Sequence, residues 1–225
     1  PAFQPEPVLT SDLQAWAQAV RNACANTLAQ VDAHRGTWPP PLAQLAAQVA
    51  GQQTRLLARA DAVSRAAPNG LKTRLHGDLH LAQVLVCRDD YVIVDFGGDT
   101  AYSFEQRRAK HCALRDVASL LNSFDQARHL ALRRAAPGPG DLERLAPAAR
   151  LWQRRVHAAF IDAYFEVAQA GGLWADAAAL SLAHQLLQLF ELERALRQLR
   201  LEIDNPPDGA SGPLTALTVL AGMAA

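Results

Sequence analysis

His76-Gly77-Asp78-Leu79-His80-Leu81-Ala82-Gln83-Val84-Leu85-Val86-Cys87-Arg88-Asp89-Asp90-Tyr91-Val92-Ile93-Val94-Asp95-Phe96-Gly97-Gly98-Asp99 is the stretch on which the fold turns. Its middle holds two short β-rich runs, Val84-Leu85-Val86-Cys87 and Tyr91-Val92-Ile93-Val94. Between them stands the polar triplet Arg88-Asp89-Asp90. Two such runs around a short polar turn predict a β-hairpin. A hairpin brings its two ends together, so Asp78, Gln83 and Asp95 are expected at one mouth.

Outward from the hairpin the chain reads as helix. Before it, Ser11 with Gln14 makes a candidate capping box. Leu13, Trp16, Val20, Cys24, Leu28 and Val31 then recur at helical spacing as far as His34-Arg35-Gly36. Trp38-Pro39-Pro40-Pro41 is a stiff break. One further amphipathic helix is expected beyond it, carrying Leu42, Leu45, Val49, Leu56, Leu57, Ala60 and Val63 as far as Pro68-Asn69-Gly70. After the hairpin, Leu114, Val117, Leu120, Leu121 and Phe124 start a helix. Long helices are predicted from about 141 to 170 and from about 173 to 202, separated by Gly171-Gly172. The tail beyond Pro206-Pro207 reads as irregular. The expected class is mainly α, with one embedded hairpin: a leading helical segment 1–70, a loop-and-hairpin segment 71–113 and a helical segment 114–225.

Composition narrows the function. Half of the 225 residues are hydrophobic, which suits a globular protein with a real core. Lys plus Arg equals Asp plus Glu at 22 each. That balance speaks against nucleic acid or an anionic membrane as partner, so an anionic ligand needs a local site. Cys24, Cys87 and Cys112 are far apart and odd in number, which excludes a disulfide framework and metal-ligand spacing. Pro1-Ala2-Phe3-Gln4-Pro5-Glu6-Pro7 has no apolar leader region, and no stretch approaches the roughly 20 apolar residues of a membrane span. A reducing, cytoplasmic setting is expected. The chain opens on Pro1 rather than Met, from which a piece of a longer protein is expected.

Asp78, Gln83 and Asp95 supply two carboxylates and an amide oxygen. Hard oxygen donors of this kind suit Mg²⁺ and a phosphate donor, with one carboxylate left to orient or deprotonate an attacking hydroxyl. Other polar residues have blander readings. His111, His129, His157 and His184 are scattered and read as surface or packing residues. Arg194, Arg197 and Arg200 alternate with Glu193 and Glu202, as on a solvated helix face. Trp16, Trp38, Trp152 and Trp174 read as core or rim aromatics.

The order of these parts resembles the kinase catalytic loop. Gln83 follows Asp78 by five residues, and Asp95-Phe96-Gly97 follows it by seventeen. His76-Gly77-Asp78-Leu79-His80 is similar to the H-G-D-L-H loop of the aminoglycoside-phosphotransferase superfamily. With Gln83 rather than Asn at the metal position, His80-Leu81-Ala82-Gln83-Val84-Leu85 looks most like the maltokinases, including those fused to trehalose synthase. The likeness extends through Arg107-Arg108 and through Leu114-Arg115-Asp116-Val117-Ala118-Ser119-Leu120-Leu121-Asn122-Ser123-Phe124-Asp125. It ends in Phe190-Glu191-Leu192-Glu193-Arg194-Ala195-Leu196 and Glu202-Ile203-Asp204-Asn205-Pro206-Pro207-Asp208. Gly97 and Ala82 depart from that pattern, where Glu and Gly are expected.

The resemblance implies a protein-kinase-like C-terminal lobe, acting with ATP and Mg²⁺ on maltose to give maltose 1-phosphate. Asp78 would be the catalytic base, and Gln83 and Asp95 the metal ligands. His76 and Asp116 would support the loop. His80, Arg115 and Glu193 are candidates for sugar contact. No Gly-rich loop or strand lysine precedes Asp78, so the lobe that covers the nucleotide is expected elsewhere in a longer chain, and the resemblance implies a fused trehalose synthase as a candidate partner in that chain. The piece alone is expected to be inactive. Two alternatives stand beside this reading. One is a kinase for another alcohol, such as an aminoglycoside, choline or methylthioribose. The other is a non-catalytic pseudokinase module of a glucan-metabolising fusion.

Overall fold

The computed structural model describes residues 3–136, 138, 140–203 and 209–222. The chain is mainly α and divides into two compact units, each assembled from separate stretches. The first comprises residues up to Glu6 with Gly70–Ala177, and the second Pro7–Asn69 with Ala178–Ala225.

The second unit is helical. α1 (Thr10–His34) buries Leu13, Ala17, Val20, Cys24, Leu28 and Val31, a stripe repeating every three to four residues. Its start differs from the capping box expected at Ser11 and Gln14. The Asp12 carboxylate accepts the Leu9 N–H at 2.8 Å, so an acidic side chain one turn in closes the first turn. α2 (Pro40–Ala50) begins on Pro40, whose missing N–H and fixed φ suit a first helical turn. The expected single helix is in fact two, because α3 (Gln53–Arg65) starts afresh after Gly51 and Gln52. Periodicity could not show this break. Val49 and Leu56 are seven residues apart and both buried, so the stripe runs on in register across it. Only Gly51, a poor helix former, marked it.

α1 packs on α3, where Arg21 pairs with Asp61 at 2.8 Å and also donates to Ser64. α7 (Ala177–Glu202) buries Leu186, Leu187, Leu189, Phe190 and Leu192, positions that circle the helix and mark it as a core element. The edge of Trp16 meets Phe190 at 5.8 Å between centroids. The irregular tail expected after Pro207 is corrected by α8 (Ser211–Leu220), which packs on α2 and buries Pro213, Leu214 and Leu217. Pro213 falls in its first turn, where no backbone hydrogen bond is lost. Asp204-Asn205-Pro206-Pro207-Asp208 lies outside the described residues.

In the first unit a small sheet sets β1 (Glu6–Pro7), β2 (Leu71–Thr73) and β5 (His111–Cys112) side by side. Lys110 pairs with Glu6 beside it. β3 (Val84–Cys87) and β4 (Asp90–Ile93) form the separate hairpin. After the short α4 (Phe104–Arg108), α5 (Leu114–Ala135) and α6 (Asp141–Ala170) pack together. Phe124 of α5 meets Trp152 and Phe160 of α6 at 6.4 and 6.3 Å. Gly70 has φ +81, and a Cβ there would fall 2.4 Å from the buried Trp174 ring, so this corner requires glycine. Burial raises the thiol pKa of Cys24 to about 11 and of Cys112 to about 12, which leaves both unreactive. Among the described residues no helix is long and apolar enough to cross a membrane.

Candidate active site

The hairpin builds the site. Cys87 pairs with Asp90, so the turn is the two-residue Arg88-Asp89 rather than the expected triplet. Both turn residues have positive φ, 49° and 64°, which matches the right-handed twist of the strands. The ladder runs from that turn through Val84 opposite Ile93, and the Val94 N–H then donates to the Gln83 carbonyl at 3.0 Å. Gln83 and Asp95 therefore leave the hairpin on adjacent strands. The Gln83 amide donates to Asp95 Oδ2 at 3.2 Å. Asp95 has φ +65, a left-handed conformation that turns the chain sharply off the strand.

His76 ties the loop before the hairpin to the strand after it. Its Nε2 lies 2.8 Å from the Val94 carbonyl, which can only accept, so Nε2 carries a proton there. Nδ1 is left to accept the Asp78 N–H at 3.4 Å. The ring also leans on Phe96 at 4.9 Å. Asp78 itself is half-buried, with its Oδ2 3.9 Å from His80 Nε2.

α5 carries the loop. Asp116 accepts the N–H of His76 at 2.7 Å and of Gly77 at 3.0 Å, one on each carboxylate oxygen. Burial raises its pKa. The two N–H donors, with His76 and Arg115 nearby, oppose that shift. Ser123 takes the other end of the loop: its hydroxyl accepts the Leu81 N–H at 3.1 Å and donates to the Leu120 carbonyl at 2.8 Å. Sequence reasoning overlooked Ser123. Its position seven residues after Asp116, on the same face of the helix, was the available signal.

The remaining candidates stand on separate elements. Arg115 stacks over Tyr102 at 5.4 Å and donates to its hydroxyl at 3.1 Å. His80 starts the short 3-10 turn Leu81–Gln83, its carbonyl accepting the Gln83 N–H at 2.9 Å. Glu193 lies on α7, in the other unit. Gly97, a departure from the maltokinase pattern, offers its carbonyl to Arg107 at 2.7 Å.

The donor set at the hairpin mouth fits Mg²⁺. Among the described residues no group of three or more His, Cys, Asp or Glu is placed to hold a metal. Mg²⁺ is commonly held by one or two protein oxygens and completed by substrate phosphates and water. Gln83 and Asp95 provide such a pair of side chains: the Gln83 amide nitrogen lies 3.2 Å from Asp95 Oδ2, and the amide oxygen is the atom that would turn to the ion.

No family model matches the chain. In sequence it is 26% identical over 165 residues to the glucosamine kinase of Streptacidiphilus jiangxiensis, a match covering 70% of this chain and 32% of that protein. A solved glucosamine kinase (crystal form B) superposes with a TM-score of 0.73 at 20% identity, covering 96% of this chain and 48% of the other. A glucosamine kinase in complex with glucosamine, ADP and inorganic phosphate gives 0.70 at 22% identity, covering 96% and 49%. The chain thus spans about a third of the curated relative and about half of the solved structures. Over that length it has the fold of the glucosamine kinases.

Proposed function

We propose that this chain carries the catalytic loop of an ATP-dependent sugar kinase. The observation that carries the reading is the meeting of Gln83 and Asp95 at the hairpin mouth, with the Asp78 loop tied to the same strand through His76. The acceptor hydroxyl oxygen attacks the γ-phosphorus, the bond from that phosphorus to the β,γ-bridging oxygen breaks, and ADP leaves. Asp78 orients the hydroxyl and takes its proton. Gln83 and Asp95 are the residues that would hold Mg²⁺, which when bound neutralises charge on the phosphates. His76 and Asp116 keep the loop in shape, because little of the catalysis is covalent and most is positioning. A second lobe, in a longer polypeptide, covers the nucleotide.

Glucosamine is the first acceptor to test, because the sequence relative and the superposing structures are glucosamine kinases. Maltose is the second reading, favoured by the resemblance of His80-Leu81-Ala82-Gln83-Val84-Leu85 and of the Leu114–Asp125 helix to maltokinases. His80, Arg115 and Glu193 remain proposed sugar contacts.

The test is phosphate transfer from ATP by the natural full-length protein, with glucosamine, glucose, maltose and an aminoglycoside as acceptors. Asp78→Asn is the control. Transfer to a sugar, reduced about a hundredfold or more in the control, is expected for loss of a general base. Transfer to maltose alone decides the acceptor for the second reading. Transfer to no sugar by folded protein would overturn the proposal.

A further inference from the structure

The segment after Asp95 folds back on itself. Asp99 Oδ1 accepts the Ala101 N–H at 2.9 Å, and the Tyr102 N–H returns to the Asp99 carbonyl at 3.0 Å. Ser103 and Gln106 then form a reciprocal capping box, Ser103 N–H to Gln106 Oε1 at 2.9 Å and Gln106 N–H to Ser103 Oγ at 3.2 Å. This box fixes α4 and presents Arg107 back toward the metal-side turn. Arg107 Nη1 donates to the Gly97 carbonyl at 2.7 Å, while its methylenes lie flat on Gly98, where a Cβ would stand 3.3–3.4 Å from three of its carbons. Gly98 also meets Gly77, where an added Cβ would stand 3.4 Å from Gly98 Cα. Gly77 is the residue that Asp116 holds.

Arg107, Gly98 and Gly77 therefore form one stack. Gly77 immediately precedes Asp78 in the chain, and Gly98 lies three residues after Asp95. Asp95 and Gly98 both sit at positive φ, 65° and 71°, on either side of the tight turn at Phe96 and Gly97, and Asp95 holds that conformation without being glycine. An outside support is needed for such a turn to keep one shape. We infer that Arg107 is a positioning residue, which clamps the Gly97-Gly98 turn onto Gly77 and so sets the separation of Asp78 and Asp95.

This rests on the kinase reading, since it gives a role to the spacing between a base and a metal ligand. The test uses the natural full-length protein and its Arg107→Ala and Arg107→Lys variants. The first measurement is amide exchange of the segment 95–103 without ligand, which does not depend on activity. Exchange there is expected to quicken about tenfold or more in Arg107→Ala, while α7 is unchanged. The second is the Mg²⁺ concentration giving half-maximal phosphate transfer. Removing a group that supports a metal ligand typically costs about 10–100-fold, so Arg107→Ala should need about tenfold more Mg²⁺, with acceptor KM little changed. Arg107→Lys keeps the stem and one donor and should recover part of both effects. A general loss of packing would instead raise exchange everywhere and lower Tm without a selective change in Mg²⁺ demand, which overturns the inference. Unchanged exchange across 95–103 also overturns it. Failure of the natural protein to phosphorylate any sugar sinks the kinase reading alone, because the exchange result still decides the clamp.

Discussion

Gly77 and Gly98 lie back to back: a Cβ on Gly77 would stand 3.4 Å from Gly98 Cα, and both residues have positive φ, 83° and 71°. One belongs to the loop that carries Asp78, the other to the turn that follows Asp95. The strain of an added Cβ at Gly77 comes from its backbone conformation more than from the contact. Gly77→Ala should lose about 1–2 kcal/mol of stability, the usual cost of a left-handed residue with a side chain. Thermal denaturation beside the phosphate-transfer assay checks this, and the loss of rate should exceed what the remaining folded fraction explains.

Asp116 gives a pH signature. Burial raises its pKa above the ordinary carboxylate value of 3.8, so the folded chain binds this proton more tightly than the unfolded chain does. Its contribution to stability is fully present below pH 3.8 and is lost as pH rises through the raised folded value. Asp116→Asn removes that dependence and leaves other carboxylates alone. The stability of the natural chain minus that of the variant should therefore shrink from pH 4 toward neutrality in denaturant titrations. A difference that grows with pH would show that the two N–H donors outweigh burial.

Gly70→Ala should be the most damaging single methyl addition in the first unit. It combines φ +81 with a carbon 2.4 Å from a fully buried tryptophan ring. Overpacking and left-handed strain together predict a loss of about 3 kcal/mol. Urea denaturation, followed by the change in Trp174 environment, measures it.

The hairpin turn invites the opposite change. Arg88 and Asp89 occupy two successive positive-φ positions, where Asn-Gly is the preferred pair. Replacing both, as Arg88→Asn with Asp89→Gly, should stabilise by about 1 kcal/mol by relieving that strain. A Tm below that of the natural chain would show that Arg88 or Asp89 makes contacts worth more than the strain.

The hairpin and the meeting of Gln83 with Asp95 were legible in the sequence because they are local. Two β-rich runs and a short turn bring their own ends together, whatever the rest of the chain does. The turn length was misjudged by one residue because Arg-Asp is an unusual pair for a left-handed turn. Ser123 and Arg107 were not legible as supports. Their partners, Leu81 and Gly97, lie 42 and 10 residues away, and only packing decides that they meet. The two misread helical regions failed for opposite reasons. An unbroken stripe hid the pause at Gly51, while Gly212 and Pro213 resembled breakers although they occupy the first turn of α8.

α5 grips the loop at Asp116 and again at Ser123, seven residues on. At 1.5 Å per residue those grips are about 10.5 Å apart along the axis. The stretch from Gly77 to Leu81 spans them like a strut cut to length between two bolts. Its residue number is fixed, because one insertion or deletion between Gly77 and Leu81 would release a bolt and carry Asp78 out of line with Asp95. Within this short segment the count of residues is constrained as firmly as the chemistry of Asp78 itself.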